Sequence, residues 1–547
     1  MRLAANILNL FDQTIFYGEV EIENERIRRI NKIGETRPDA PYLLPGFVDA
    51  HVHVESSMLT PAQFARLAVV HGTVATVSDP HEIGNVLGVA GVNYMIDDGK
   101  RVPFKFCFGA PSCVPATVFE TAGATISTQD VRDLLAMKEI GYLAEMMNFP
   151  GVLNHDPDVM QKIQLAKAFN KPVDGHAPGL RGADAQQYAA AGITTDHECF
   201  TYDEALEKIQ LEMYILIREG SAAKNFEALI PLVTQFPARI MFCSDDKHPD
   251  SLVQGHINEL VKRALGQGYN LFDVLRAACL NPVLHYRLPV GLLREGDPAD
   301  FIVVNNLQDF GISATYIDGQ RVAENGETFI TDLRSPVVNQ FDCLPCQPSD
   351  FAVPTLDSAV VINVIEALDG QLITNALQLP ACVENGQIVA DVSRDVLKIA
   401  VVNRYKPAPI KVGFITNFGL QKGAIASSVA HDSHNIIAVG CNDESLAQAV
   451  NLIIEARGGI AAVAATNQAH ILRLPIAGLM SDADGYEVAQ QYTEIDFFVK
   501  NMLGSKLFSP FMTLSFMGLL VIPALKMSDL GLFDGQNFSF KKLIENN

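Results

Sequence analysis

Nowhere does this chain carry the ~20 consecutive apolar residues that a membrane-spanning helix requires; the best candidate, 516–525, is far shorter and contains Pro523. Basic residues are also scarce, with 41 Lys and Arg against 63 Asp and Glu, a net charge of −22 and a pI near 5.0. That balance argues against nucleic acid as a partner, because a polyanion needs a basic stripe and the sequence offers none. Small neutral or cationic substrates suit it better. The first residues hold a single Arg, a broken apolar run and no small-residue cleavage site, so no secretory signal is expected. Nine cysteines, an odd number without the spacing of a disulfide framework, point to a reducing compartment, and the protein is expected to be cytoplasmic.

What the chain does have is apolar material for more than one core: 48% hydrophobic residues over 547 positions. Residues 1–40 alternate polar and apolar between turn signals, and the same texture returns at 299–330, which predicts one small β-domain from 1–40 and 285–334. Between these segments, eight short apolar runs (42–52, 73–77, 104–108, 142–146, 172–175, 193–195, 213–217 and 239–243) alternate with helix-compatible stretches. Eight such repeats predict an α/β fold, a (β/α)8 TIM barrel over 41–284 whose strand C-termini share one mouth. The Pro-rich segment 335–354 reads as a linker. Its Cys343 and Cys346 form a lone pair and are taken as linker thiols rather than metal ligands. Strand-like and helical patterns, including an amphipathic stretch at 444–457, then predict a C-terminal α/β domain over 350–547.

Polar residues end nearly every barrel run. The first closes with Asp49-Ala50-His51-Val52-His53, and side chains at i and i+2 of a strand share a face, so two imidazoles can grip one divalent cation. Glu145 ends the fourth run, His176 the fifth, His197 the sixth and Asp245 the eighth. A carboxylate at the end of an apolar strand must be paired, metal-bound or strongly shifted in pKa. With no lysine ending the fourth run, a carbamylated lysine is not at hand as a metal bridge, and Glu145 takes that part. The six donors His51, His53, Glu145, His176, His197 and Asp245 exceed what one tetrahedral ion needs and predict a binuclear centre. Imidazole and carboxylate without thiolate admit two divalent ions of Fe, Mn or Zn. Cations about 3.5–4 Å apart that share a water lower its pKa from about 15.7 towards 7. Asp245 is also suited to act as general base.

The blocks Pro45-Gly46-Phe47-Val48-Asp49-Ala50-His51-Val52-His53-Val54-Glu55-Ser56-Ser57, Asp79-Pro80-His81-Glu82-Ile83, Glu145-Met146-Met147-Asn148, Gly175-His176-Ala177-Pro178-Gly179-Leu180, Asp196-His197-Glu198 and Ser244-Asp245-Asp246-Lys247-His248-Pro249 resemble those of the amidohydrolase superfamily. Within it the chain is similar to the bacterial adenine deaminases, through Glu145-Met146-Met147-Asn148 and through His431-Asp432-Ser433-His434-Asn435, Leu474-Pro475-Ile476-Ala477-Gly478-Leu479-Met480-Ser481-Asp482 and Pro510-Phe511-Met512-Thr513-Leu514-Ser515-Phe516. The resemblance spans almost the whole chain. It implies hydrolytic deamination of adenine to hypoxanthine and ammonia in purine salvage, with a metal-activated hydroxide attacking C6 while an acid protonates N1.

In that reading Asp245 takes the proton of the water and passes it to the departing amine. Glu55, His81, Glu82 and Glu198 are the candidates for the N1 acid, or for holding a ligand in place. Ser112 is a candidate partner of a purine nitrogen, and Asp246 competes with Asp245 for the metal or touches the substrate. The block at 431–434 reads as a polar loop over the barrel mouth, from the same or a neighbouring subunit. Adenine and water are the implied partners, and the apolar second domain leads to an expected homo-oligomer, a dimer or higher. Two other classes stay open: a binuclear hydrolase of a cyclic amide, and a non-catalytic scaffold with this fold.

Overall fold

A computed structural model describes residues 1–357, 359–465 and 468–545. Each of the eight apolar runs overlaps a strand, the sixth by Thr195 alone: β1 (Phe47–Val52), β2 (Thr73–Ser78), β3 (Lys105–Ala110), β4 (Ile140–Met146), β5 (Val173–Gly175), β6 (Thr195–Asp196), β7 (Tyr214–Arg218) and β8 (Ile240–Cys243). Strands β1 to β5 form one parallel sheet and β6 to β8 a second. All six residues of β1 are buried, as expected of a parallel strand covered on both faces. Between the sheets the Thr194 amide donates to the Val173 carbonyl at 2.9 Å. At the other side the Asp245 amide donates to His51 (2.9 Å) and the His53 amide to Asp245 (3.2 Å), so the end of β8 meets the end of β1. The layer is TIM-barrel-like, with helices such as Pro61–Ala68 and Pro157–Ala168 between its strands and Ile257–Gly266 after the last.

The run at 42–52 is two strands, not one. A Cβ on Gly46 would lie 2.3 Å from Val74 Cγ1, so the chain passes β2 there only as glycine, and the strand breaks. Tyr42–Pro45 pairs in parallel with Arg2–Asn9 and antiparallel with Phe301–Val304, which joins the amino-terminal strands to those after the barrel in one eight-stranded sheet. Its core face buries Ala5, Ile7, Val20, Ile22, Leu43 and Phe301. Lys105 of β3 fastens this sheet to the barrel, with Nζ 2.7 Å from Asp300 Oδ2 and 2.8 Å from Asp318 Oδ1.

After an irregular stretch whose Cys343 and Cys346 are both free thiols, a nine-stranded sheet carries helix Asp443–Ala456. The Asn442 side chain caps that helix by accepting from the Ser445 amide. This C-terminal part sits over the barrel mouth. The Ser481 amide donates to Met58 O (2.9 Å), Gly485 to Gln63 Oε1 (3.0 Å) and Thr121 to Asp529 Oδ1 (2.9 Å). No described helix is long and apolar enough to cross a membrane.

Burial pulls the pKa of His71 and His285 down to about 4 and that of His248 to about 3. These rings stay neutral in the folded state while the unfolded chain protonates near pH 6.5, so the unfolded state gains protons first and stability falls as pH drops below about 6.5. For the fully enclosed His248 the loss is about 1–2 kcal/mol between pH 6.5 and 5. Its ring packs 4.6 Å from Tyr492, which His248→Phe preserves. Denaturant titrations at the two pH values should therefore show a shallower acid loss in that variant than in wild type; equal losses would contradict this account.

Candidate metal centre

The centre is held at the strand ends by buried polar groups. Asp49, on the same face of β1 as His51 and His53, accepts from Ser244 N (3.0 Å), from Ser244 Oγ, and lies 2.7 Å from His256 Nε2, which fixes the end of β8 against β1. Tyr188 does the same for β4 and β5: its hydroxyl donates to Met146 O (2.8 Å) and accepts from His176 N (3.1 Å). Gly175, just before that histidine, runs so close to β6 that a Cβ would lie 2.3 Å from Thr195 O.

All six expected ligand side chains come together. His51 Nε2 and His53 Nε2 are 3.2 Å apart, and Asp245 Oδ1 lies 3.4 Å from the first and 3.2 Å from the second. Glu145 faces two ways, with Oε1 3.6 Å from His53 Nε2 and Oε2 2.9 Å from His176 Nδ1 and 3.0 Å from His197 Nε2. Burial alone would raise the Glu145 carboxyl, but His176 and His197 hold it well below the usual range. Burial also opposes charge on Asp245, where Arg218, then His51 and His53, outweigh it and keep it ionised.

The donor set fits divalent cations. His51 Nε2 and His53 Nε2 face each other at 3.2 Å, and buried His197 Nε2 lies 3.0 Å from Glu145 Oε2 without the geometry of a hydrogen bond, so a cation between these donors would satisfy them. Ligand atoms of His51, His53 and Asp245 lie within 4.8 Å of one another, as do those of His51, Glu145 and His197, and of His176, His197 and Glu198.

The remaining candidates separate. Glu198 is spent on Arg218, which also donates to Asp245 Oδ2 at 2.7 Å. Glu55 accepts from Ile83 N (3.2 Å), burial raises its pKa to about 7, and it does not line the cavity at the mouth. His81 and Glu82 do line it. The two oxygens of Glu82 meet His431 Nδ1 and His434 Nε2. Asp246 lines the cavity too, turned away from the paired histidines to accept from Ser56 Oγ at 2.5 Å. Ser112, a candidate for a purine nitrogen or for a structural role, donates to the Glu145 carbonyl (2.5 Å) and steadies β4.

Sequence reasoning passed over Arg218, visible only as a polar residue ending the seventh run, and the contacts of His431 and His434 with Glu82. The cavity is about 30 Å³, and Leu372, His431, Asp432, Phe516 and Leu519 of the C-terminal part complete its wall, each nearly fully buried. Lys526 ties two of these segments together, its buried amine donating to Leu372 O (2.6 Å) and Phe516 O (2.9 Å).

A hydrolase built on paired histidines and a shared carboxylate at a barrel mouth is what fold and site define, and residues 42–322 match the amidohydrolase family. Residues 371–539 match the adenine deaminase C-terminal domain. The chain is 56% identical to an adenine deaminase of Salinibacter ruber over 98% of both chains, 55% identical to one of Sulfurovum over 99% of both, and 50% identical to one of Methanosarcina mazei over 98% of both. It belongs to the adenine deaminase family of amidohydrolases.

Proposed function

We infer that this enzyme hydrolyses adenine to hypoxanthine and ammonia, and that its eight strands are those of a complete (β/α)8 barrel. The observation that carries the site assignment is the two-way stance of Glu145, one oxygen toward His53 and the other toward His176 and His197. His51, His53 and Asp245 would hold one divalent cation, His176 and His197 a second, with Glu145 between them; Mn or Fe suits these donors and Zn is admissible. Bound there, the cations supply a water-derived nucleophile at neutral pH.

The chain's own groups do the rest. Asp245, kept ionised by Arg218, accepts the proton of the attacking water and returns it to the departing amine. Of the four acid candidates, His81 and Glu82 alone both line the cavity and are free of Arg218; both oxygens of Glu82 are taken up by His431 and His434, so the proton for N1 is assigned to His81, with Glu82 3.6 Å away supporting its charged form. Delivery of that proton relieves the negative charge that attack at C6 pushes onto the ring.

The test is direct. Protein purified anaerobically, with its metal measured, should release ammonia from adenine and not from cyclic amides. Chelation should abolish turnover and Mn or Fe restore it. Full activity in metal-stripped protein would overturn the metal assignment, and ammonia from cyclic amides alone would overturn the substrate.

A further inference from the structure

Two polar atoms of the C-terminal domain remain without partners inside the cavity. His431 Nε2 and Asp432 Oδ2 are buried, each residue 3% exposed, and neither atom has a hydrogen-bond partner among the described residues. Nothing in the deamination chemistry above uses them. A buried carboxylate oxygen left bare is costly, and an adjacent bare donor doubles the oddity; such a pair makes sense when a ligand completes it.

The two atoms differ in sense. Asp432 can only accept while ionised. His431 already spends Nδ1 on Glu82, and although burial works against a charged ring, Glu82 and then Asp246 outweigh it and raise the pKa to about 9, so Nε2 carries a proton to donate. A donor and an acceptor on consecutive residues lining one cavity match an adjacent acceptor and donor on a ligand. Adenine has three such edges, N1 with N6–H, N7 with N6–H and N3 with N9–H; the first two carry the amine at C6, which belongs with Glu145 and Asp245, and the third is left for His431 and Asp432.

The order of groups around the cavity agrees with the order around the ring. Glu145 and Asp245 belong with C6. His81, whose Nδ1 is 3.5 Å from Glu145 Oε1, and Glu82 belong with N1. Glu82 leads to His431, and Asp432 Oδ1 lies 3.7 Å from His81 Nε2 on the far side from Glu145. Phe516, stacked on His431 with ring centroids 5.2 Å apart, and Leu519 offer apolar surface to the flat base.

We propose that His431 and Asp432 read the N3/N9–H edge of adenine, His431 donating to N3 and Asp432 accepting from N9–H, and that this pair restricts the enzyme to purines unsubstituted at N9. The proposal rests on the adenine reading and gives the C-terminal domain a specificity role in it.

The experiment crosses variants with substrate analogues. Wild type should deaminate adenine at least about 10³-fold more efficiently than 9-methyladenine, and about 10- to 100-fold more efficiently than 3-deazaadenine. In Asp432→Ala the first ratio should shrink at least about 10-fold, and in His431→Leu the second should approach one, each variant leaving the other ratio nearly intact. If a variant deaminates nothing, the dissociation constants of hypoxanthine, 9-methylhypoxanthine and 3-deazahypoxanthine, read by calorimetry on metal-loaded protein, give the same ratios without chemistry. Ratios unchanged from wild type in both variants would overturn the proposal. A wild type that releases no ammonia from adenine would overturn the activity instead, so the two failures are distinct.

Discussion

Replacing Glu145 by Gln is expected to lower kcat/KM for adenine by at least about 10³-fold and to reduce bound metal by about one equivalent per chain. The substitution keeps the shape of the side chain but removes its charge and turns one acceptor oxygen into an amide donor. Whichever way that amide points, it faces either His53 or the pair His176 and His197, at distances now filled by carboxylate oxygens of 3.6 Å on one side and 2.9 and 3.0 Å on the other. One half of the centre therefore loses its shared ligand. Steady-state ammonia release and elemental analysis on the same preparation check both parts, and a fully metallated variant of near-normal activity would remove Glu145 from the bridging position.

The second large effect concerns stability. Arg218 is 1% exposed and stands between Glu198 and Asp245. Breaking a buried ion pair by removing one partner costs about 3–5 kcal/mol, because the charge left behind has neither water nor a counter-ion. Arg218→Met keeps most of the volume and leaves two carboxylates exposed to each other, so the metal-free protein should unfold at markedly lower denaturant. Adding Glu198→Gln to that variant should recover part of the loss, since it removes one of the stranded charges. Denaturation midpoints of the three proteins decide it: if Arg218→Met unfolds where wild type does, the guanidinium is not holding these acids.

The proposed barrel ligands were legible because two simple rules act together. Apolar runs of strand length announce where β1 to β8 lie, and a histidine or carboxylate closing such a run has few roles open to it. The i, i+2 spacing of His51 and His53 does the rest. What escaped was set by partners distant in sequence. Nothing around Ser112 announces that its hydroxyl turns to the Glu145 carbonyl, and Glu198 reads as a free acid until Arg218, twenty residues on, is seen against it. The break at Gly46 hides for the same reason: the apolar pattern runs straight through it, and only the closeness of Val74 shows why the strand must divide there. The reach of His431 and His434 onto Glu82 spans some 350 positions, beyond any local pattern.

One consequence follows from Lys526 and the size of the space beneath it. A hollow of about 30 Å³ has room for roughly a single water, far less than a purine. Adenine fits there only with this wall displaced outward, and because the Lys526 amine holds the main chain at both Leu372 and Phe516, the two segments are coupled in any such displacement.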